Sequence, residues 1–161
     1  MTCRSRREAA GAAVPAALAF AITFLMPGEA RAQRARELGL QAIVAAAEPA
    51  VVTAGFYGAL RTTRRTRLAI AAGVGGSEGE VAWRGELVGH FLLNPGSVRS
   101  PGLYGGGGLA VAGASEAQGF VVVLIGLEGT PGGRSGWAIE AGLGGGFRAA
   151  VGYRWRVFGR R

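Results

Sequence analysis

Apolar and polar residues alternate at every second position over most of the chain between residues 38 and 157. This two-residue period predicts β-strands, because successive side chains of a strand point to opposite faces of its sheet. Short breaks rich in Gly, Pro, Ser, Thr and Arg separate the runs and favour antiparallel hairpins in sequence order. We therefore predict a single all-β domain, an antiparallel up-and-down eight-stranded transmembrane β-barrel. The eight runs are residues 38–47, 51–61, 67–75, 80–93, 102–113, 119–129, 135–144 and 147–157.

The two faces of the predicted strands differ in chemistry. In the fourth run Trp83, Leu87 and Phe91 share one face, whereas Arg84 and Glu86 lie on the other. Elsewhere one face is again bulky and uncharged, and the other is mostly Gly and Ala with scattered ions. An outer-membrane barrel turns its bulky face to lipid and crosses the bilayer with strands of about 9–11 residues. The alternative is a soluble periplasmic barrel of lipocalin-like shape, which would turn the bulky face inward around an apolar ligand.

Ionisable residues on the small-residue face would line the lumen of the membrane barrel. An eight-stranded barrel is just wide enough for side chains to fill, so we expect a structural ion network that plugs the lumen. Because an isolated buried charge is very costly, we expect Glu140 to pair with an arginine of the last strand. The predicted lumen residues are Arg84, Glu86, His90, Glu128, Glu140, Arg148, Arg154 and Arg156.

The first part of the chain has the pattern of a cleavable signal peptide. Three arginines at positions 4, 6 and 7 precede an almost uninterrupted apolar run at residues 9–26, and Ala-Arg-Ala follows at 30–32. The alternative is a retained helical anchor, because the apolar run is nearly long enough to span a bilayer. We predict that residues 1–32 are removed and that residues 33–161 form the outer-membrane β-barrel domain.

Composition excludes most catalytic and metal chemistry. The 161 residues include 18 arginines but no lysine, 10 glutamates but no aspartate, one histidine and one cysteine, with a net charge of +8. Without lysine there is no P-loop lysine or Schiff base, and one Cys with one His cannot build a zinc site within one chain. The sequence therefore predicts no catalytic residue, no cofactor and no metal.

The chain resembles a known family in its last hairpin and its overall pattern. Residues 136–142 have the sequence Gly-Trp-Ala-Ile-Glu-Ala-Gly, and residues 148–155 have Arg-Ala-Ala-Val-Gly-Tyr-Arg-Trp. With the signal and the eight runs, this is similar to the small outer-membrane β-barrels of the OmpA-domain and OmpX type over residues 37–158. The resemblance implies insertion by the barrel-assembly machinery and a non-enzymatic contribution to envelope structure or permeability in the cell outer membrane, with the periplasm as the alternative location.

Residues 61–67, Arg-Thr-Thr-Arg-Arg-Thr-Arg, form the one basic cluster of the predicted domain. We predict a solvated turn beside the bilayer that contacts outer-membrane lipid headgroups or lipopolysaccharide phosphate. We expect no nucleic-acid partner, because the chain is exported and its other arginines alternate along strands. A third hypothesis is a lipid-modifying barrel enzyme. It would need a serine and an acid beside His90, and no serine occupies the neighbouring alternate positions, so we predict no enzyme. The sequence identifies no small-molecule ligand.

Overall fold

The computed structural model describes residues 35–114 and 116–158, which form a closed barrel of eight strands. Each strand pairs antiparallel with the next, and the last closes the barrel on the first. The predicted all-β, eight-stranded antiparallel up-and-down barrel is confirmed. The predicted signal peptide, residues 1–32, lies outside the described residues. The strands are β1 (Ala35–Ala46), β2 (Val51–Arg61), β3 (Thr66–Ser77), β4 (Glu80–Leu92), β5 (Gly102–Gly113), β6 (Ala117–Glu128), β7 (Ser135–Leu143) and β8 (Phe147–Phe158).

Strand bounds agree closely with the alternating runs. The bounds of β2 and β5 are those predicted, and the other strands differ by a few residues at one or both ends. β1 begins at Ala35 rather than at residue 38, and β3 continues to Ser77 rather than ending at residue 75. These extensions add Glu37 and Ser77 to the inward-facing positions. In the part of the chain that the structure covers, no helix is long and apolar enough to cross a membrane.

The bulky face of the strands lies on the outside of the barrel. In β4, Trp83 and Leu87 are 42% and 50% exposed, whereas Arg84 and Glu86 between them are 3% and 5% exposed. The same alternation of exposed and buried positions runs along the other strands. The charged, small-residue face of the sheet is therefore the inner face.

The larger apolar cluster of the interior is formed by β4, β5 and β6, and a smaller one lies on β2 and β3. The sixth predicted strand has apolar residues on both faces, because its inward-facing residues belong to the larger interior cluster. Val121, Val123 and Ile125 point outward, while Val122 and Leu124 pack inside the barrel. The inner cluster comprises Val88, Leu92, Tyr104, Ala110, Val122 and Leu124, with Phe120 against it.

The two ends of the barrel carry opposite charges. We call the end formed by the β1–β2, β3–β4, β5–β6 and β7–β8 turns the acidic mouth, because every exposed glutamate among the described residues lies there. The opposite end, where β1 begins and β8 ends, we call the basic end, because it holds every exposed arginine of that same part of the chain. The exposed glutamates are Glu48, Glu78, Glu80 and Glu116, and the exposed arginines are Arg36, Arg64, Arg65, Arg99 and Arg134.

Candidate functional site

A network of ionised side chains fills much of the barrel interior, and the eight predicted lumen residues all lie in it with buried side chains. The structure adds six residues that the sequence did not single out as lumen residues. The network has a lower cluster near the basic end and an upper cluster nearer the acidic mouth, and Arg154 joins the two. The six additional residues are Glu37, Gln41, Tyr57, Arg61, Arg67 and Tyr104.

The lower cluster is organised around two carboxylates, Glu37 and Glu128. Arg67 on β3 donates through Nη1 to both, at 3.0 Å to Glu37 Oε2 and 2.8 Å to Glu128 Oε2. Arg61 Nε donates to Glu37 Oε1 at 3.0 Å, and Arg156 Nη2 donates to Glu128 Oε2 at 3.1 Å. Arginine suits this role because its guanidinium presents five N–H donors in a fixed fork. Each carboxylate thus connects several strands.

The upper cluster is organised around Glu86 and Glu140. Arg148 Nη2 lies between them, 2.7 Å from Glu86 Oε2 and 2.9 Å from Glu140 Oε2. Arg84 Nε donates to Glu86 Oε1 at 2.7 Å, and Arg154 Nη2 donates to Glu140 Oε1 at 2.6 Å. Glu140 therefore pairs with two arginines of β8, as the sequence predicted.

Tyrosine rings contact part of the positive charge inside the barrel, where, counting described residues alone, six buried arginines face four buried glutamates. The Arg154 guanidinium carbon lies 4.1 Å from the centroid of the Tyr57 ring, and that of Arg67 lies 4.9 Å from the Tyr104 ring. Such cation–π contacts stabilise a desolvated cation by about 2 kcal/mol. The Tyr104 hydroxyl also donates to Glu140 Oε1 at 2.7 Å. Neither tyrosine was singled out by its sequence position, because a tyrosine on a strand fits either face.

The single histidine belongs to the same interior network. His90 is 4% exposed, and its Nδ1 accepts a 3.2 Å hydrogen bond from Arg67 Nε. Because Nδ1 accepts, the neutral ring carries its hydrogen on Nε2. The His90 ring meets the edge of Tyr104 at a centroid separation of 5.1 Å. His90 thus contacts an arginine and a tyrosine inside the barrel, away from the outer surface.

The barrel is similar to a solved structure, the N-terminal β-barrel domain of Pseudomonas aeruginosa OprF. The two agree with a TM-score of 0.55 and 15% sequence identity, over 75% of this chain and 97% of that chain. The chain has the OprF barrel fold. At the level of fold, this confirms the resemblance to the small eight-stranded outer-membrane barrels of the OmpA-domain type. No family model matches the sequence, and neither does any curated protein.

In this OprF-like barrel, residues 61–67 do not form a solvated turn throughout, and that prediction is wrong for the first and last residues of the segment. Arg61 and Arg67 are buried, at 8% and 1% exposure, whereas Arg64 and Arg65 in the turn are exposed. Arg61 and Arg67 are register partners at the last inward position of β2 and the first of β3. The alternating pattern indicated their burial, because both residues occupy the alternate positions that form the small-residue face. Grouping them with the turn as one basic cluster concealed it.

Glycines on the inner face of the OprF-like barrel make room for the larger side chains. A Cβ added at Gly106 would lie 2.6 Å from His90 Cδ2, and one added at Gly126 would overlap the Tyr104 ring. The Gly-rich stretch of β5 therefore serves packing rather than phosphate binding. Among residues 35–114 and 116–158, no group of three or more His, Cys or Glu side chains is placed to hold a metal ion.

Proposed function

We propose that this chain is a small, non-enzymatic outer-membrane β-barrel that contributes to envelope structure, with its lumen plugged by arginine and glutamate side chains. One observation carries the proposal: the bulky apolar face points out and the charged face points in. Within the described part of the chain, thirty large hydrophobic side chains are exposed, and all but Leu93 and Val98 lie on the strands. Soluble monomers rarely expose contiguous apolar patches larger than about 300–600 Å². A lipid environment accounts for this surface, and the closed sheet pairs its strands without needing water.

Aromatic residues near the strand ends support the same placement. Trp83 and Phe147 lie close to the acidic mouth, and Phe91, Trp137 and Trp155 lie close to the basic end. Trp and Tyr, with other aromatic residues, form girdles where the hydrocarbon region meets the headgroups. The two aromatic levels therefore fit the two edges of a bilayer around the barrel.

The packing of the lumen supports a plug rather than a wide pore. The interior cavity among Gln41, Tyr57, His90 and Glu140 has a volume of about 10 Å³, the space of a single water molecule. A lipocalin-like carrier would need a roomy apolar interior and a polar outer face, which is the reverse of the faces observed. This arrangement favours the membrane barrel over the soluble carrier.

The position of His90 supports a non-enzymatic role. A lipid-modifying enzyme needs its base beside a nucleophile at the membrane face. His90 is instead bound to Arg67 inside the barrel. The imidazole is therefore in contact with Arg67 and Tyr104 inside the barrel and does not lie at the outer face.

Lipids are the proposed partners. The apolar strands contact outer-membrane acyl chains, and the exposed Arg64 and Arg65 contact anionic phosphate groups, those of lipopolysaccharide or of phospholipid. The barrel-assembly machinery is the proposed partner during insertion. Lipid vesicles with and without anionic headgroups distinguish these contacts, because R64Q/R65Q should weaken binding only to the anionic ones.

Fractionation of cells producing the chain tests the location. We expect the protein in the outer-membrane fraction, extractable only with detergent, and with heat-modifiable migration on gels. Recovery of folded protein from the soluble periplasm without detergent would overturn the membrane proposal.

Planar bilayer recordings test the plug. We expect the folded protein to give no steady conductance. As a control, an Arg148→Ala and Arg154→Ala double variant, which removes two lumen guanidiniums, should give brief openings in the same bilayer. Stable open channels formed by the unmodified protein would overturn the plug.

A further inference from the structure

The acidic mouth opens into a cavity that the ion network does not fill. Its volume is about 500 Å³, within the range of small-molecule binding sites. Ala45 and Val51 lie along its wall with Phe120, and Arg84 of the upper cluster lies at its floor. The cavity therefore begins where the packed part of the lumen ends, and it has both apolar and polar surface.

The charge around this cavity is one-sided. Four carboxylates from three separate turns line it, those of Glu48, Glu78, Glu80 and Glu116. Among the residues that the structure describes, Arg84 is the one cation in the lining of this cavity, and it is already bonded to Glu86 and to the carbonyl of Gly144. Every exposed arginine among the described residues lies at the other end of the barrel. A cavity lined by one sign of charge focuses the field and concentrates ligands of the opposite sign.

A buried hydroxyl in the cavity wall has no partner. Ser77 is the last residue of β3 and is 7% exposed, and its Oγ makes no hydrogen bond. Ser77 lies on the inward-facing register of β3, in line with Ala71, Ala69 and Arg67, and it lines the cavity. Leaving a buried polar group unpaired is unfavourable, so a hydrogen-bond donor entering the cavity would remove that penalty. A bound ammonium group is such a donor.

We propose that the acidic mouth binds an aliphatic polyamine, with its ammonium groups on the rim carboxylates and Ser77 Oγ. The methylene segments of such a ligand would lie against Ala45, Val51 and Phe120. The carboxylates come from separate turns and form no group of three placed to hold a metal ion, so an extended organic cation fits better than a compact one. This inference depends on the barrel and its charges, not on the plug or the location of the protein.

Titration calorimetry with spermidine tests the proposal, using the full-length folded protein in nanodiscs of zwitterionic lipid at low ionic strength. We expect saturable 1:1 binding with a Kd below about 1 mM, weakened by added salt. The variant E48Q/E78Q/E80Q/E116Q should weaken binding at least about tenfold, since four charge contacts are lost together. Ser77→Ala should weaken it about threefold, because one acceptor is removed.

The matched control neutralises exposed charge at the other end of the barrel. R64Q/R65Q/R99Q makes the protein more acidic overall without touching the cavity, and its spermidine affinity should stay within about twofold of the unmodified protein. Single variants Glu80→Gln and Glu116→Gln, at exposed positions, give the same comparison should the fourfold variant fail to fold.

Three results would overturn the polyamine site. These are absence of saturable spermidine binding, binding that survives neutralisation of the rim, and binding that rises in the R64Q/R65Q/R99Q control as much as it falls in the rim variant. Tighter binding of Mg²⁺ than of spermidine would assign the mouth to a metal ion and also overturn it. None of these results bears on membrane location, which fractionation tests separately.

Discussion

Glu140 has the densest set of interior contacts of any carboxylate in the upper cluster. Its Oε1 accepts hydrogen bonds from Arg154 Nη2 at 2.6 Å and from the Tyr104 hydroxyl at 2.7 Å. Its Oε2 accepts from Gln41 Nε2 at 3.0 Å and lies 2.9 Å from Arg148 Nη2. Replacing Glu140 by alanine therefore removes four contacts and leaves two buried guanidiniums short of a carboxylate.

The expected cost of Glu140→Ala follows from these contacts. Removing one partner of a buried ion pair costs about 3–5 kcal/mol, because the remaining charge stays buried without compensation. Arg148 keeps Glu86 at 2.7 Å, so it is only partly orphaned. Arg154 keeps the Tyr104 hydroxyl at 3.2 Å and the Tyr57 ring, but its remaining carboxylate, that of Glu128, lies 3.5 Å away. We therefore expect a loss of about 3–4 kcal/mol in the free energy of unfolding, and about half of that for Glu140→Gln, which keeps one acceptor oxygen.

Urea unfolding in lipid vesicles, followed by tryptophan emission, measures this loss. The chain has three tryptophans, and all lie on the outer face, where their emission shifts as they leave the lipid. Glu116→Ala at the acidic mouth removes an exposed carboxylate and should change stability by less than about 0.5 kcal/mol. A double-mutant cycle with Arg154→Ala should give a coupling energy of about 1–3 kcal/mol.

A loss of less than about 1 kcal/mol for Glu140→Ala would contradict this reasoning, because it would mean that water reaches the two guanidiniums. Equal losses for Glu140→Ala and Glu116→Ala would show that the interior pairs do not stabilise the barrel more than surface charges do.

Three further substitutions have matched controls, each measured by the same urea titration. Arg61→Gln should cost about 2–4 kcal/mol, because the buried Glu37 carboxylate loses one of its two guanidinium donors and two loop carbonyls lose theirs. Arg64→Gln in the exposed turn should cost less than about 0.5 kcal/mol. Equal losses of stability for Arg61→Gln and Arg64→Gln would show that the Arg61 side chain is not buried in the barrel. Gly126→Ala should cost about 1–3 kcal/mol because its methyl group meets an aromatic ring, whereas Gly85→Ala meets no atom within 4 Å and should cost less than about 1 kcal/mol. If Gly126→Ala costs no more stability than Gly85→Ala, the side chains of the lumen are not tightly packed around position 126. Phe56→Arg, at the middle of β2 and 76% exposed, should cost about 2–4 kcal/mol in a bilayer, and Phe56→Leu less than about 1 kcal/mol. If Phe56→Arg leaves the stability in a bilayer unchanged, position 56 does not contact lipid.

The architecture follows from local information in the sequence. Odd-numbered and even-numbered positions of a strand point to opposite faces, so residues such as Trp83 and Glu86 are assigned to opposite sides without knowledge of their partners. The turns are short, and each hairpin therefore pairs neighbours in the chain. Bounds as close as those of β2 and β5 follow from the same pattern, because the breaks around them carry clear turn residues.

The pairing inside the lumen does not follow from local information. Glu37 lies just before the predicted first strand, and it becomes part of β1 because β1 pairs with the end of β8, where Glu37 is the register partner of Arg156. That pairing joins the first strand to the last, and neither predicted run shows it when taken alone. Which arginine meets which carboxylate depends likewise on the stagger of all eight strands around the barrel.

Several interior ion pairs join strands that are not neighbours in the sheet. Arg148 on β8 reaches Glu86 on β4, the strand four places away around the closed barrel, and Arg67 on β3 reaches Glu128 on β6. The hydrogen bonds of the sheet fix distances along its circumference but leave its cross-section free to flatten. Contacts across the diameter remove that freedom, because an oval cross-section would pull the paired groups apart along one axis. The network therefore holds the cross-section of the barrel against flattening, and in the proposed membrane location it would resist lateral pressure from the bilayer, which the sheet alone does not.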